Sequence, residues 1–259
     1  MGRMAKRGLL LAAAMLALLA GRGQAEEHQS GNLIVSMAGG ITPRALPRTH
    51  SAPVAVRLQA GIRTADRAPV PRVSGIRLEL AWRGALDTGG LAICPRWRLR
   101  SVDSREALAA CGSALVGRGR LYDRVFIPGQ LPFGLHAQLL VFNGKTAHGH
   151  PAVWVHAYTT NPPVSFVLPF HVRHQSGAFQ TALVSVVPHS VGPWPRFAHF
   201  QVAVGRHFSY QGRTHSYISA SCPVPARFTE GFLSFARATF NLAEGHPVRA
   251  EAVRSCLAR

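Results

Sequence analysis

Apolar and polar residues alternate with a period of two over several stretches of this chain. In 56–63 every second residue is Val, Leu, Ala or Ile, and 76–83 repeats the pattern with Ile, Leu, Leu and Trp. Successive side chains of a β-strand point to opposite faces of a sheet, so each stretch is expected to turn one face to a core and the other to water. This alternation is typical of antiparallel sheets.

About eleven or twelve short strands separated by turn signals follow this pattern. They predict an all-β fold, an antiparallel β-sandwich that is jelly-roll-like or built of two packed sheets. Residues 53–259 would form this domain, after a poorly patterned lead-in over 26–52. Asn143-Gly144 is expected to form a two-residue hairpin turn. The segment 117–120, Gly-Arg-Gly-Arg, is expected to mark a bulge or bend at the entry to a strand.

One segment breaks the alternation and predicts a short helix near 103–111. Asp103 can accept a hydrogen bond from the first turn, and Glu106 three residues later completes a capping box. Gly112 follows the last helical residue, where a left-handed cap is common. Cys111 lies on the apolar face of this helix, so a disulfide from it would hold the helix against a neighbouring loop.

The first 25 residues have the three-part layout of a secretory signal peptide. A basic start precedes the unbroken apolar run Leu9 to Ala20, and Gly23-Gln24-Ala25 places small residues at the −3 and −1 positions of a cleavage site. The run has 12 residues, and crossing a membrane takes about 20. We therefore expect a secreted, extracytoplasmic protein that is cleaved near Ala25 and has no transmembrane segment in its mature chain.

The cysteines are even in number, which favours two disulfides in an exported chain. They are Cys94, Cys111, Cys222 and Cys256. Three connectivities are possible, and local pairing, first with second and third with fourth, is the simplest. Zinc binding is the rival interpretation, but the chain has no C-x₂-C pair. Because bridged Cα atoms lie about 4.4–6.8 Å apart, pairing Cys222 with Cys256 predicts that the last strand lies beside the strand of Cys222 or faces it from the opposite sheet.

The chain is strongly basic, with 29 Lys and Arg against 11 Asp and Glu. Without the first 25 residues, which carry four of these bases, the formal charge falls from +18 to +14. Such a charge favours polyanions. Outside a cell these would be envelope polymers, lipid headgroups or extracellular DNA, and no intracellular nucleic acid is expected as a partner. The alternative interpretation is a bias toward arginine in the composition.

The densest basic cluster is a candidate polyanion patch, because it interleaves cations with an aromatic ring. It consists of Arg96, Trp97, Arg98 and Arg100. The other interpretation is a solvated loop in which Trp97 is partly packed.

Histidine is also in excess, with 13 copies. His148, His150 and His156 share strand parity and are weak candidates for a metal surface, since imidazole binds zinc, copper and nickel. Against this, Gly149 and Pro151 favour a turn. No metal ligand is therefore assigned, and no cofactor is expected.

Three acids lie inside predicted strands and could supply the carboxylate pair of a glycosidase. Of these, Glu79 and Glu251 alternate with apolar neighbours and are expected to face solvent, and Asp123 is the third. Ion pairs with the many arginines are the simpler interpretation. Neither a G-x-S-x-G nucleophile motif nor a phosphate-binding loop occurs, so no catalytic residue is assigned.

Several short motifs recur in one order along most of the chain and together resemble a group of uncharacterised exported proteins from actinobacteria. The motifs are Cys94-Pro95, Ser104 to Ala107, Cys111 to Gly119, Phe142-Asn143-Gly144, His156 to Thr160, Ser216 to Pro223 and a final Cys256. The resemblance implies export and an all-β structure. It implies no activity, because none is established for that group, and the histidine excess is not part of the shared pattern.

The leading hypothesis is a secreted, non-enzymatic structural or binding protein of the cell envelope that could contact anionic polymers. The alternatives are an envelope hydrolase that uses a carboxylate pair or histidine–metal chemistry, and a metal-binding module. The hydrolase requires a cleft that brings two acids or three histidines together.

Overall fold

The computed structural model of the protein describes residues 25–188 and 191–259. They form one large antiparallel-rich sheet, two small sheets and one short α-helix, so the predicted all-β fold is confirmed. In this part of the chain no helix combines the length and the apolar character that a membrane span needs. The predicted signal peptide, except for Ala25 at its end, lies outside the described residues.

The strands are β1 (Glu26–Ser30), β2 (Leu33–Thr42), β3 (Ala45–Leu46), β4 (Ala52–Pro53), β5 (Ala55–Thr64), β6 (Val73–Leu80), β7 (Ala85–Leu86), β8 (Leu115–Val125), β9 (Phe133–Lys145), β10 (Pro151–Thr160), β11 (Pro163–His174), β12 (Thr181–Val186), β13 (Pro195–Val204), β14 (His207–Tyr210), β15 (Arg213–Ser216), β16 (Ile218–Ala220), β17 (Glu230–Leu242) and β18 (Val248–Ala258). Helix α1 spans Ser104–Cys111, between the 3₁₀ turns Arg96–Leu99 and Gly112–Ala114.

Thirteen strands form the large sheet, in the order β1-β2-β5-β13-β8-β9-β10-β11-β12-β6-β17-β18-β3. Its neighbouring strands are antiparallel except for the short pair of β18 with β3. The small sheets are β14-β15 and β4-β16-β7.

The large sheet curls until its apolar face encloses the core. Phe197 of β13 stacks on Phe240 of β17, with ring centroids 5.1 Å apart, although these strands are fourth and eleventh in the sheet. Near the two ends of the sheet, the Glu26 carboxylate accepts hydrogen bonds from the Val253 N–H (2.7 Å) and the Arg254 guanidinium (2.6 Å). The two packed layers of the predicted sandwich are therefore two parts of one curled sheet.

The segment 26–52, expected to be a lead-in, contributes β1 and β2 to this sheet. Strand β2 pairs with β5 along its full length, and Val35 and Met37 are fully buried. The paired backbones come close at Gly39, where an added Cβ would lie 2.3 Å from the Arg57 carbonyl oxygen. The small residues that permit this contact also interrupt the apolar alternation of β2. The strand was therefore not recognised from the sequence.

Helix α1 begins with the predicted capping box. The Glu106 N–H donates to the Asp103 carboxylate (2.8 Å), and the Asp103 N–H donates to the Glu106 carboxylate (2.9 Å). The helix lies on the outer face of β9 and β10, where Cys111 joins a second apolar cluster. Gly112 is not a left-handed cap: its φ is −58°, because the chain continues into a 3₁₀ turn that buries Ala114.

Asn143-Gly144 lies inside β9 and not in a hairpin turn, so that prediction was wrong. The Asn143 side chain donates to the Ala92 carbonyl (3.0 Å), which holds the cysteine loop on the sheet. Gly144 leaves space for the Trp154 ring, since a Cβ there would lie 2.1 Å from the indole nitrogen. The chain turns instead after Lys145, beyond the end of β9.

Both disulfides form with local pairing. Cys94 and Cys111 have Cα atoms 5.4 Å apart, and those of Cys222 and Cys256 lie 5.7 Å apart. The first bond fastens α1 to the loop before it. In the second, Cys222 lies just beyond β16 of a small sheet and Cys256 on β18 of the large one, which corresponds to the predicted facing arrangement.

Replacing Cys222 and Cys256 together with alanine should lower the free energy of unfolding by about 4 kcal/mol. The loop that this bond closes has a sequence separation of 34, and opening it restores entropy to the unfolded chain. Urea unfolding of the variant and of the wild-type protein measures the difference. A loss below about 1 kcal/mol would contradict this role.

Candidate functional site

An apolar cavity of about 380 Å³ lies inside the curled sheet. Strands β6, β8, β9, β10, β11 and β13 surround it, and the connection between β12 and β13 lines one end. Its walls include Leu78, Leu139, Leu168, Phe170, Phe197 and Phe200. Cavities of roughly 300–1,000 Å³ are typical of small-molecule sites.

One carboxyl group faces this apolar space. Asp123 on β8 has the same strand parity as Leu121 and Val125, so its side chain points inward, and it is only 6 % exposed. Its Oδ1 is buried and has no hydrogen-bond partner among the described residues. Seven other buried side-chain polar atoms of the described residues also have no partner, but of these eight residues Asp123 is the one that lines the cavity, which makes it the functional candidate.

Burial raises the pKa of Asp123 to about 7, because the charged form loses its hydration. A hydrogen bond from the Ala198 backbone opposes this shift. Ala198 is at a bulge of β13, where the register against β8 shifts between Phe197 and His199. The carboxyl group can therefore donate a hydrogen bond when protonated and accept one when ionised, close to neutral pH.

The other two candidate acids lie on the outer face of the sheet. Arg237 bridges them, with contacts of 3.5 Å to the Glu79 carboxylate and 3.1 Å to the Glu251 carboxylate. They form a salt-bridged network outside the cavity that holds Asp123. The residues described therefore do not bring a carboxylate pair to the cavity, where Arg72 at the rim is the other charged side chain.

Glu79 is buried and does not face solvent, so that prediction was wrong. It is 6 % exposed, because the chain after β11 folds over it. Gln175 donates to its carboxylate at 2.8 Å, and the Phe179 ring lies 4.0 Å from the Arg237 guanidinium. Burial alone would raise the pKa of Glu79, but the hydrogen bonds from Gln175 and Arg77 and the charges of Arg77 and Arg237 lower it.

The structure does not bring the three candidate histidines together. His148 and His150 are exposed next to the turn that precedes β10, whereas His156 is fully buried on the outer face. Its Nε2 lies 3.0 Å from the Val102 carbonyl, and burial lowers the pKa of its ring. Among the described residues, no three His, Cys, Asp or Glu side chains lie close enough to hold a metal ion.

The candidate polyanion patch forms the 3₁₀ turn that follows Cys94. Trp97 is 65 % exposed, and the Arg98 guanidinium lies 5.3 Å from its ring centroid. Leu99 is buried and anchors the turn. Arg96 is half-buried, and burial lowers the pKa of its guanidinium, with a smaller effect from the charge of Arg100. A binding role for this patch stays a prediction.

The sequence reasoning missed a basic groove on the outer face of β5, β13, β8, β9 and β10. Arg57, Arg118 and Arg120 line it. The bulge expected for 117–120 lies just before that segment: the register of β8 against β9 shifts between Leu115 and Gly117, and 117–120 itself pairs regularly with β9 and β13. Residues 117–120 already indicated this groove in the sequence, because arginines two residues apart in a strand lie on the same face.

Comparison of the chain with protein-family models, with curated proteins and with solved structures gives no match. The resemblance to exported actinobacterial proteins therefore stays a prediction.

Replacing Asp123 with asparagine should make stability less dependent on pH. The Asp123 carboxyl releases its proton near pH 4 in the unfolded chain and near pH 7 in the folded protein. The free energy of unfolding that is linked to this carboxyl is therefore greatest below pH 4, and it is lost as the pH rises through 7. Between pH 5 and pH 8 the wild-type protein should lose roughly 2–3 kcal/mol more than Asp123→Asn.

Urea unfolding at both pH values measures this difference. Glu244→Gln, which removes one exposed acid outside the cavity, is the matched control and should follow the wild type. Equal pH dependence of Asp123→Asn and the wild type would show that Asp123 titrates as an exposed acid.

Proposed function

We propose that the protein is an extracytoplasmic, non-enzymatic binding protein that holds an apolar molecule inside its curled sheet. The observation that carries this proposal is the cavity of about 380 Å³ with a single carboxylate, Asp123, in its wall. Apolar walls supply affinity through burial of apolar surface, and one polar group fixes the orientation of the ligand.

The ligand class follows from the cavity lining. Leucine, valine and phenylalanine side chains dominate the walls, so most of the ligand is hydrocarbon or aromatic. The unpaired Oδ1 of Asp123 suits one hydroxyl, amide or amine group on that ligand. Arg72 is exposed and lies at the rim, where it can contact a polar end that stays in water.

The two disulfides support a location in an oxidising compartment outside the cytoplasm. The proposed signal peptide, cleaved near Ala25, and the resemblance to exported actinobacterial proteins agree with that location. We place the protein at the cell envelope, where a carrier of apolar molecules protects them from water and where its positive surface meets anionic polymers.

Catalysis is not part of the proposal. A glycosidase pair needs two carboxyls within about 5–9.5 Å across one cleft, and in the described part of the chain Glu79 and Glu251 lie outside the cavity with Arg237 between them. No observation favours the hydrolase or the metal-binding module over the binding protein.

Filling the cavity should abolish binding of an apolar probe. N-phenyl-1-naphthylamine, which fluoresces in apolar surroundings, should bind the wild-type protein, and Leu168→Trp should raise its Kd at least tenfold by occupying the cavity. Leu168 lines the space and is partly buried, so the larger ring can enter it.

Val253→Trp is the matched control, because it adds an aromatic ring at a site that is 41 % exposed on β18. Its Kd should stay within twofold of the wild-type value. Absence of probe binding to the wild-type protein, or equal effects of the two substitutions, would refute the proposal.

A further inference from the structure

The outer face of the sheet carries a groove that the proposed cavity function does not use. Strands β5, β13, β8, β9 and β10 form its floor, and its walls include Arg57, Arg118, Arg120, His136, Gln138 and Tyr158. The groove and the cavity lie on opposite faces of the same strands. In β8, for example, Arg120 lines the groove and Asp123 lines the cavity.

The strand register brings three arginines into one patch. Ala203 of β13 lies between Arg57 and Arg118 on the neighbouring strands, so their Cα atoms are roughly 10 Å apart. Arg120 is two residues from Arg118, about 7 Å along β8. The small side chain of Ala203 leaves the centre of the groove open.

Within the described part of the chain, these arginines have no acidic partner. All three are exposed, and none forms a salt bridge with another described residue. Among residues 25–188 and 191–259, no Asp or Glu lines the groove. Some arginines elsewhere on the sheet do have an acidic partner, as Arg77 and Arg237 have in Glu79. Three unpaired cations on one face repel each other, so a ligand that brings negative charge would relieve the repulsion.

Neutral polar and aromatic side chains complete the groove. Gln201 faces Arg120 across the strand pair, and Gln138 faces it on the other side. Tyr158 lies opposite Gln138 on β10. At one end the Tyr122 ring packs on His136, with centroids 4.7 Å apart. Amide groups can exchange hydrogen bonds with hydroxyl groups, and aromatic rings offer flat surfaces for stacking.

We propose that this groove binds an anionic polysaccharide. Arginine recognises the sulfate, phosphate or carboxylate groups of such a polymer, and the glutamines recognise its hydroxyls. A lipid surface fits less well, because the large exposed hydrophobic side chains, such as Leu131 and Phe232, are not among the residues that line the groove. Nucleic acid fits the charge, but the disulfides indicate an oxidising compartment outside the cytoplasm, away from the nucleic acid inside the cell.

The inference rests on the proposed location at the envelope and not on the apolar cavity. A protein that binds the polysaccharide but not N-phenyl-1-naphthylamine would therefore refute the cavity function alone. The reverse result would refute the groove alone.

The test measures binding of a fluorescein-labelled heparin octasaccharide by anisotropy in 50 mM NaCl at pH 7.5. A triple variant that combines Arg57→Gln, Arg118→Gln and Arg120→Gln should raise the Kd for this octasaccharide at least tenfold. The lysine version of the same triple variant, which keeps the charge, should stay within about fivefold of the wild type. If the triple glutamine variant does not fold, Arg120→Gln alone takes its place and should still raise the Kd above the wild-type value, whereas Arg249→Gln should not.

The matched control replaces Arg105, Arg213 and Arg249 with glutamine, which removes the same charge from exposed positions outside the groove. Its Kd should change less than threefold. Equal losses in both glutamine variants would show that only net charge matters and would overturn the site. Failure of the wild type to bind, or tighter binding of a single-stranded DNA 12-mer or of phosphatidylglycerol vesicles, would also overturn the polysaccharide assignment.

Discussion

One face of the thirteen-stranded sheet is apolar along its whole width, and exposing it to water would be unfavourable. The sheet buries this face by curling on itself. The stacked rings of Phe197 and Phe240 join distant strands across the core, and Glu26 ties β1 to β18. A single curled sheet encloses space wherever its facing side chains do not meet. The cavity is such a space, so the proposed binding site follows from the way the sheet buries its apolar face.

The salt bridges and the basic groove described above lie on the outer face of the sheet. Helix α1 covers β9 and β10, the salt bridges of Glu79 cover β6 and β17, and the basic groove remains open. Strand β8 contributes to both faces, with Asp123 inside and Arg118 and Arg120 outside. The same alternation that builds the sheet thus separates a nearly neutral cavity from a positively charged surface.

Period-two alternation was sufficient to predict antiparallel β-structure, and the capping box was sufficient to predict the start of α1. The inward position of Asp123 was not predicted, although Leu121 and Val125, which share its strand parity, carried that signal. The burial of Glu79 was not readable, because it depends on Gln175 and Phe179 about 100 residues away in the chain. Local patterns predict which face a side chain joins, and long-range pairing decides what covers that face.

The titration of the Asp123 side-chain carboxyl carbon, followed by ¹³C NMR, tests most directly whether a protonatable carboxyl faces the apolar cavity and is shielded there from water. The account predicts a midpoint near pH 7 in the free protein and a shift of that midpoint when N-phenyl-1-naphthylamine fills the cavity. A midpoint near pH 4 that the probe leaves unchanged would mean that water reaches the carboxyl freely, and it would contradict the account.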